Sequence, residues 1–150
     1  MSHETAIAET VPTFPTLASI ERVEAMCLKL PQVDMPLTHL FAPGIYWREG
    51  FIPAGTFAIG HQHKTEHINV LLSGTIRVLQ DGKEVELTAP QVFKSSAGVR
   101  KAVFAVTDVR FVNVHHNPTD ETDLDKLEAI FVEKSATYLQ NTEPPKGQIT

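Results

Sequence analysis

Covalent cross-links are absent from this chain. A single cysteine, Cys27, stands among 150 residues, so no internal disulfide can form and the fold must rest on packing. A basic excess is missing too. The net charge is -5, which works against binding a phosphate backbone, so no nucleic-acid partner is expected. No run approaches the roughly 18 consecutive apolar residues of a membrane span. Residues from Met1 to Thr16 are polar, with acids and prolines in place of an apolar leader. The expectation is a cytoplasmic protein with no membrane contact. Hydrophobic residues at 42% are enough for an ordinary core, and a chain this long buries roughly two thirds of its unfolded surface.

Along the chain, residues 1–16 read as a flexible tail, because Thr10, Pro12, Thr13, Pro15 and Thr16 favour extended backbone. Leu17, Ile20, Val23, Cys27 and Leu30 recur at helical spacing and predict a helix over about 17–29, stopped by Pro31. From about 33 to 117 the signal is β. About eight short runs rich in Val, Ile, Thr and Phe alternate with turns at Pro43-Gly44, Pro53-Ala54-Gly55, Ser73-Gly74, Asp81-Gly82 and Thr107-Asp108. No helical pattern separates the strands, which argues for a sandwich, barrel or jelly roll over a parallel α/β sheet. Acids at Asp120, Glu121 and Asp123 open a second helix, predicted over about 121–139 with Leu124, Leu127, Ile130, Phe131 and Tyr138 as its apolar stripe. Residues 141–150, with Pro144-Pro145, read as a second flexible tail. A single domain over 17–140 results.

Three of seven histidines fall within Gly60–His67. On a strand, alternate side chains share a face, so His61 and His63 can enter one cavity, and a turn at Lys64–Glu66 can return His67 beside them. Three neutral imidazoles leave positions open for a further ligand, the layout of a reactive metal centre. A His-x-His pair taken alone is as often a surface or hydrogen-bonded pair; it is the density here that favours a site. His63-Lys64-Thr65-Glu66-His67 also spells the inverted zinc-protease pattern, but that pattern needs a helix and this stretch leads into a strand. Ser95 and Ser96 have no nucleophile elbow around them, the glycines form no phosphate loop, and Cys27 lies on an apolar helix face where packing suffices.

Gly55, five residues, His61-Gln62-His63, three residues, His67, six residues and Gly74 together resemble the first cupin motif, with His67 at the glutamate position and Glu66 one place early. Neighbours on a strand face opposite ways, so His67 is the stronger ligand candidate and Glu66 the second. Ser96-Ala97-Gly98-Val99-Arg100 resembles the second motif, but the residue at its metal histidine is Lys101. The resemblance implies an all-β, cupin-type jelly-roll β-barrel with flanking N- and C-terminal helices. It implies His61, His63 and His67 as ligands of a divalent transition metal (Fe, Mn, Ni or Zn), alone or together with His115, with Glu66 or Lys101 as acid or base. Alternatively, Lys101 replaces the metal and receives an anionic small molecule with Arg100 and Arg48. The jelly-roll topology puts His115 near the level of Lys101, either in the ligand pocket or facing water at a strand end. Arg48 and Glu49 are sequence neighbours, so only one of them can enter the pocket.

Further segments carry a narrower likeness: Phe41-Ala42-Pro43-Gly44-Ile45-Tyr46-Trp47-Arg48-Glu49, Ile52-Pro53-Ala54-Gly55-Thr56, His63–His67, and the stretch from Asn117 through Asp120 and Asp125 to Glu128. Over about residues 32–133 they are similar to small cupin-like proteins encoded by tailed bacteriophages. That likeness implies that His63, Glu66 and His67 act as a unit and that a basic residue is usual at position 101. It implies the host cytoplasm or the virion as location, and it speaks to origin more than to activity. Two expectations stand side by side: a metal-binding protein with a small-molecule ligand, or a non-catalytic phage protein. A homodimer paired through an edge strand is expected in either case.

Overall fold

The computed structural model describes residues 4–8, 19–80 and 83–142. The elements are β1 (Thr5–Ile7), α1 (Ile20–Leu28), β2 (Leu37–Ala42), β3 (Ile45–Ile52), β4 (Phe57–Ile59), β5 (Gln62–His63), β6 (His67–Ser73), β7 (Thr75–Gln80), β8 (Lys83–Thr88), β9 (Gln91–Ser95), β10 (Ala102–Ala105), β11 (Val109–His116), α2 (Leu124–Phe131), β12 (Val132–Glu133) and α3 (Ala136–Thr142). Two five-stranded antiparallel sheets run in the orders β1-β4-β10-β7-β8 and β2-β3-β11-β6-β9. Between β3 and β11 the chain passes from sheet to sheet, so that β3-β11-β6-β9 faces β4-β10-β7-β8. This is the strand order of an eight-stranded double-sheet jelly roll, the cupin-type barrel the sequence led us to expect.

The turns explain why the chain switches sheets where it does. Gly74 joins β6 to β7 at φ +91, and a Cβ there would overlap the Asp108 carbonyl oxygen and crowd Thr107 and Val109. Only glycine fits that corner. Gln80 pairs with Lys83 across the hairpin, in register with the expected two-residue turn, although Asp81-Gly82 itself lies outside the described residues.

Three expectations about the flanks need correction. Part of the supposed tail is a strand: Thr5, Ala6 and Ile7 are all buried, pair with Ile59, Ala58 and Phe57, and are tied down where Ala6 N–H donates to Gln32 Oε1 at 3.0 Å. Residues 1–3 and 9–16, along with the first two residues of the helix predicted over 17–29, lie outside the described residues. The helix predicted over 121–139 is two helices. Asp123 caps α2 by accepting from the Asp125 and Lys126 amides, β-branched Val132 then pairs with His63 in a two-residue ladder, and Ser135 Oγ accepts the Tyr138 N–H at 3.0 Å as α3 begins. The third concerns the C-terminal tail, since α3 continues through Asn141 and Thr142; 143–150 lie outside the described residues.

The core is divided along the barrel. One end is apolar, built from Ile52, Leu71, Ile76, Val78, Val103 and Val109. Outside the first sheet, α1 packs Ile20 and Cys27 onto Phe57, Ile59 and Ala102, which confirms a packing role for Cys27. At the other end α2 lays Leu127 and Phe131 over Tyr46. No helix among the described residues is long and apolar enough to cross a membrane.

Candidate metal centre and ligand cleft

Strand parity decides what faces inward at the α2 end. His115 pairs with Tyr46, Asn113 with both Arg48 and Asn69, and His67 with Ser95. Paired residues of antiparallel strands share a face, so this polar set lines the barrel mouth. His63 joins it from β5, held by its own N–H to Val99 O at 2.9 Å and by Gly98 N–H to His63 O at 2.8 Å. The ligand nitrogens of His63, His67 and His115 all lie within 4.8 Å of one another, and all three residues are buried. Their rings pack closely, with centroids 4.1 Å apart for His63 and His67 and 5.1 Å for His67 and His115.

His61, expected beside His63, is not in this trio. It precedes the two-residue β5 rather than lying on a longer strand, so strict alternation does not govern it. Its ring stands edge-on to Tyr138 of α3 at 4.6 Å. It does line a small cavity of about 20 Å³ together with His63, His115 and Glu128, room for about one water-sized group. The other expected residues divide clearly. Glu66 points to solvent, 3.4 Å from Lys94 Nζ, and does not reach the cluster. Arg48 does face inward, 3.5 Å from Glu4, while Glu49 faces out and accepts from Arg110 at 2.8 Å. Arg100 is committed elsewhere: its guanidinium binds the fully buried Glu24 carboxylate and donates to Gly60 O at 2.9 Å. Lys101 is buried at the mouth, with Nζ 3.3 Å from His67 Nε2.

The protonation states follow from burial. His67 Nδ1 lies 3.0 Å from the Thr65 carbonyl oxygen. A carbonyl only accepts, so Nδ1 carries the proton and Nε2 presents its lone pair to the Lys101 ammonium. Burial, and then the charge of Lys101, hold His63 and His67 below the ordinary imidazole range. Burial lowers His115 to about 3 and Lys101 to about 8, and raises Tyr46 to about 12. The three imidazoles are therefore neutral near pH 7, the form that ligates metals.

These residues fit a divalent transition metal. Among the described residues, His63 Nδ1 and His115 Nδ1 are buried with no hydrogen-bond partner, as are both ring nitrogens of His61, which is costly unless something else engages the rings. Nitrogens within 4.8 Å of one another are close enough to share one ion. Such an ion would share His67 Nε2 with Lys101, so the amine has to swing aside when the trio is filled.

Sequence reasoning missed the support around the trio. Asn113 Nδ2 donates to Asn69 Oδ1, and Asn69 Nδ2 to Ser95 Oγ, both at 2.8 Å. The signal was there: each Asn interrupts an apolar run at the same parity as His67 or His115. Phe131, which periodicity places only on a helix stripe, stacks on His115 at 4.3 Å.

Beside the mouth lies a cleft of about 660 Å³ between the barrel and the α1 and α3 ends, with Lys101 in its lining. No protein-family model matches the chain, and no curated protein matches it by sequence. The fold is similar to an acetylacetone dioxygenase from Acinetobacter johnsonii, at 18% identity and TM-score 0.46 over 55% of this chain and 59% of that one. It is similar to the cupin domain of an XRE family transcriptional regulator from Enterobacter cloacae, at 18% identity and TM-score 0.48 over 56% and 97%. A cupin superfamily protein from Desulfitobacterium hafniense is matched at 8% identity and TM-score 0.47 over 77% and 98%. The match spans less than two thirds of the dioxygenase chain. It is the strand order that defines the jelly roll here.

Proposed function

We propose that this protein binds a divalent transition metal (iron, manganese, nickel or zinc) through His63, His67 and His115, beside a pocket for a small-molecule ligand. The observation that carries this reading is the buried trio with nitrogens within 4.8 Å, two of its Nδ1 atoms unpartnered. A metal bound there would supply a Lewis-acidic centre. The protein's own part is to hold neutral imidazoles, fix the His67 tautomer through Thr65, and keep Lys101 beside the site as a donor to an anionic group or as an acid. Elemental analysis of untagged protein, purified without chelator or added metal, tests this. Near one equivalent is expected in the wild type and in His61→Ala, and loss in a His63→Ala/His67→Ala variant. Unchanged stoichiometry in the double variant rejects it.

The Lys101–His67 contact at 3.3 Å favours a second reading. In it Lys101 stands in for the metal, and the protein is a non-catalytic phage protein, a virion component or a receptor for a small anion. Mass spectrometry of purified particles checks the virion role.

We also propose a homodimer. Leu40, Ile45, Ile68 and Val92 project from the outer face of the β2-β3-β11-β6-β9 sheet, each between 46% and 68% exposed. Five strands about 4.8 Å apart and averaging about 22 Å in length give a face of roughly 500 Å², which flanking residues would extend toward the ~800 Å² per partner of a stable interface. That favours face-to-face pairing of two copies over the edge-strand pairing expected from sequence. Light scattering on a size-exclusion column should give twice the 16.6 kDa chain mass, and a monomer mass at working concentration rejects the dimer.

A further inference from the structure

The charges at the barrel mouth do not balance. Glu24 is paired with Arg100, Glu128 with Lys134, and Glu4 with Arg48. Lys101 is 9% exposed, and no carboxylate of a described residue lies within ion-pair distance of its Nζ. Its polar contact is a neutral imidazole. The Glu4 carboxylate favours this charge from beyond ion-pair distance and is shared with Arg48; two cations facing one carboxylate leave the mouth short of one negative charge. A metal on the histidines would strengthen that preference.

The cleft of about 660 Å³ has Lys101 in its lining, and that volume is typical of sites for small organic molecules. Ile20, Val78, Leu79 and Phe93 give it an apolar wall. Glu21, Glu133 and Lys94 also line it, but they are exposed at the rim, where water screens them. Ser95 supplies a second donor at depth. Its Oγ accepts from Asn69 Nδ2 at 2.8 Å, which leaves the hydroxyl hydrogen to donate, and its register partner is His67, the residue that Lys101 touches. One ammonium and one hydroxyl match the two oxygens of a carboxylate. Arg100 and Lys134 line the cleft too but are bound to Glu24 and Glu128, so the donors left at depth are fewer than a dianionic phosphate takes.

We propose that the cleft takes a small organic monocarboxylate with an apolar body, its carboxylate on Lys101 and Ser95 and its body against Ile20, Val78, Leu79 and Phe93. This rests on the reading that the barrel mouth holds a small molecule, and it requires no metal on the histidines.

Isothermal titration of the full chain, stripped by chelator and again after zinc loading, with octanoate, octanamide and inorganic phosphate tests it. Octanoate should bind about tenfold or more tighter than its neutral amide, the worth of a charge-assisted hydrogen bond, and phosphate should bind more weakly than octanoate. Lys101→Met should bring the acid and the amide to equal affinity. Backbone amide NMR shifts on adding octanoate should concentrate at 95–101. Equal affinity for octanoate and octanamide in the wild type, or phosphate as tight as octanoate, overturns the proposal even if the variant fails to fold. Metal content of the same preparations separates the two claims. Zinc retained without an acid preference rejects the carboxylate alone, and an acid preference without zinc uptake rejects the metal alone.

Discussion

Lowering the pH from 7 to 5 should destabilise the metal-free protein, and the histidine cluster sets the size of the effect. His115 is held at about 3 in the fold against 6.5 in the unfolded chain, because burial first, and then His67, Arg48 and Lys101, oppose its protonation. Unfolded chains therefore bind the extra proton below pH 6.5 and the folded protein does not, so stability falls as pH falls through the window from 6.5 to about 3. At pH 5 the gap of about 1.5 units costs about 2 kcal/mol for this one imidazole, at ~1.36 kcal/mol per unit. His63 is held lower still by burial and by Lys101 and contributes a similar loss. Together they remove about 4 kcal/mol from a domain worth roughly 5–15 kcal/mol, or roughly 10 °C in Tm. Urea unfolding between pH 5 and 8 with chelator present measures this. His115→Phe, which keeps the stack on Phe131, should flatten the dependence by about 1.4 kcal/mol per pH unit, one proton's worth. Equal stability at pH 7 and 5, or the same slope in wild type and variant, would refute the buried neutral cluster.

Two further outcomes are expected. Gly74→Ala should lose about 3 kcal/mol or more in urea unfolding, because positive φ and overlap with the Asp108 carbonyl act together, whereas Gly44→Ala, at φ +73 with nothing within 4 Å, should lose about 1 kcal/mol; equal losses would dismiss the overlap. Glu24→Ala should cost about 3–5 kcal/mol by stranding the Arg100 guanidinium, and Glu24→Ala/Arg100→Met should recover part of it; a double variant no more stable than Glu24→Ala would place the cost in lost packing.

The flank errors share a cause. Residues Thr5–Ile7 carry too few apolar positions to read as a strand, and their burial comes from partners at 57–59, about fifty positions away. The break between α2 and α3 is likewise invisible in the periodicity, because Val132 leaves the helix to pair with His63. Replacement of His61 by His115 in the trio has the same origin. Spacing places His61 two residues from His63, but only the pairing of β11 with β3 and β6 carries His115 to the mouth.

Local chemistry was enough for much of the rest. Turns at Pro43-Gly44, Pro53–Gly55, Ser73-Gly74 and Thr107-Asp108 separate strands as expected, whereas Gly50, which also reads as a turn residue, lies inside β3; Gly55 and Gly74 both have positive φ, and the parity that places His67 inside leaves Glu66 outside, as strand geometry requires. The β-rich core, the corners and the histidine-rich segment are thus legible in the residues alone, because φ preference and side-chain alternation act between neighbours. Which imidazoles converge, that Lys101 faces His67, and that Arg100 is bound to Glu24 emerge only in the folded chain. Those depend on register between strands and helices far apart in the chain, and register is set by the packing of the whole barrel.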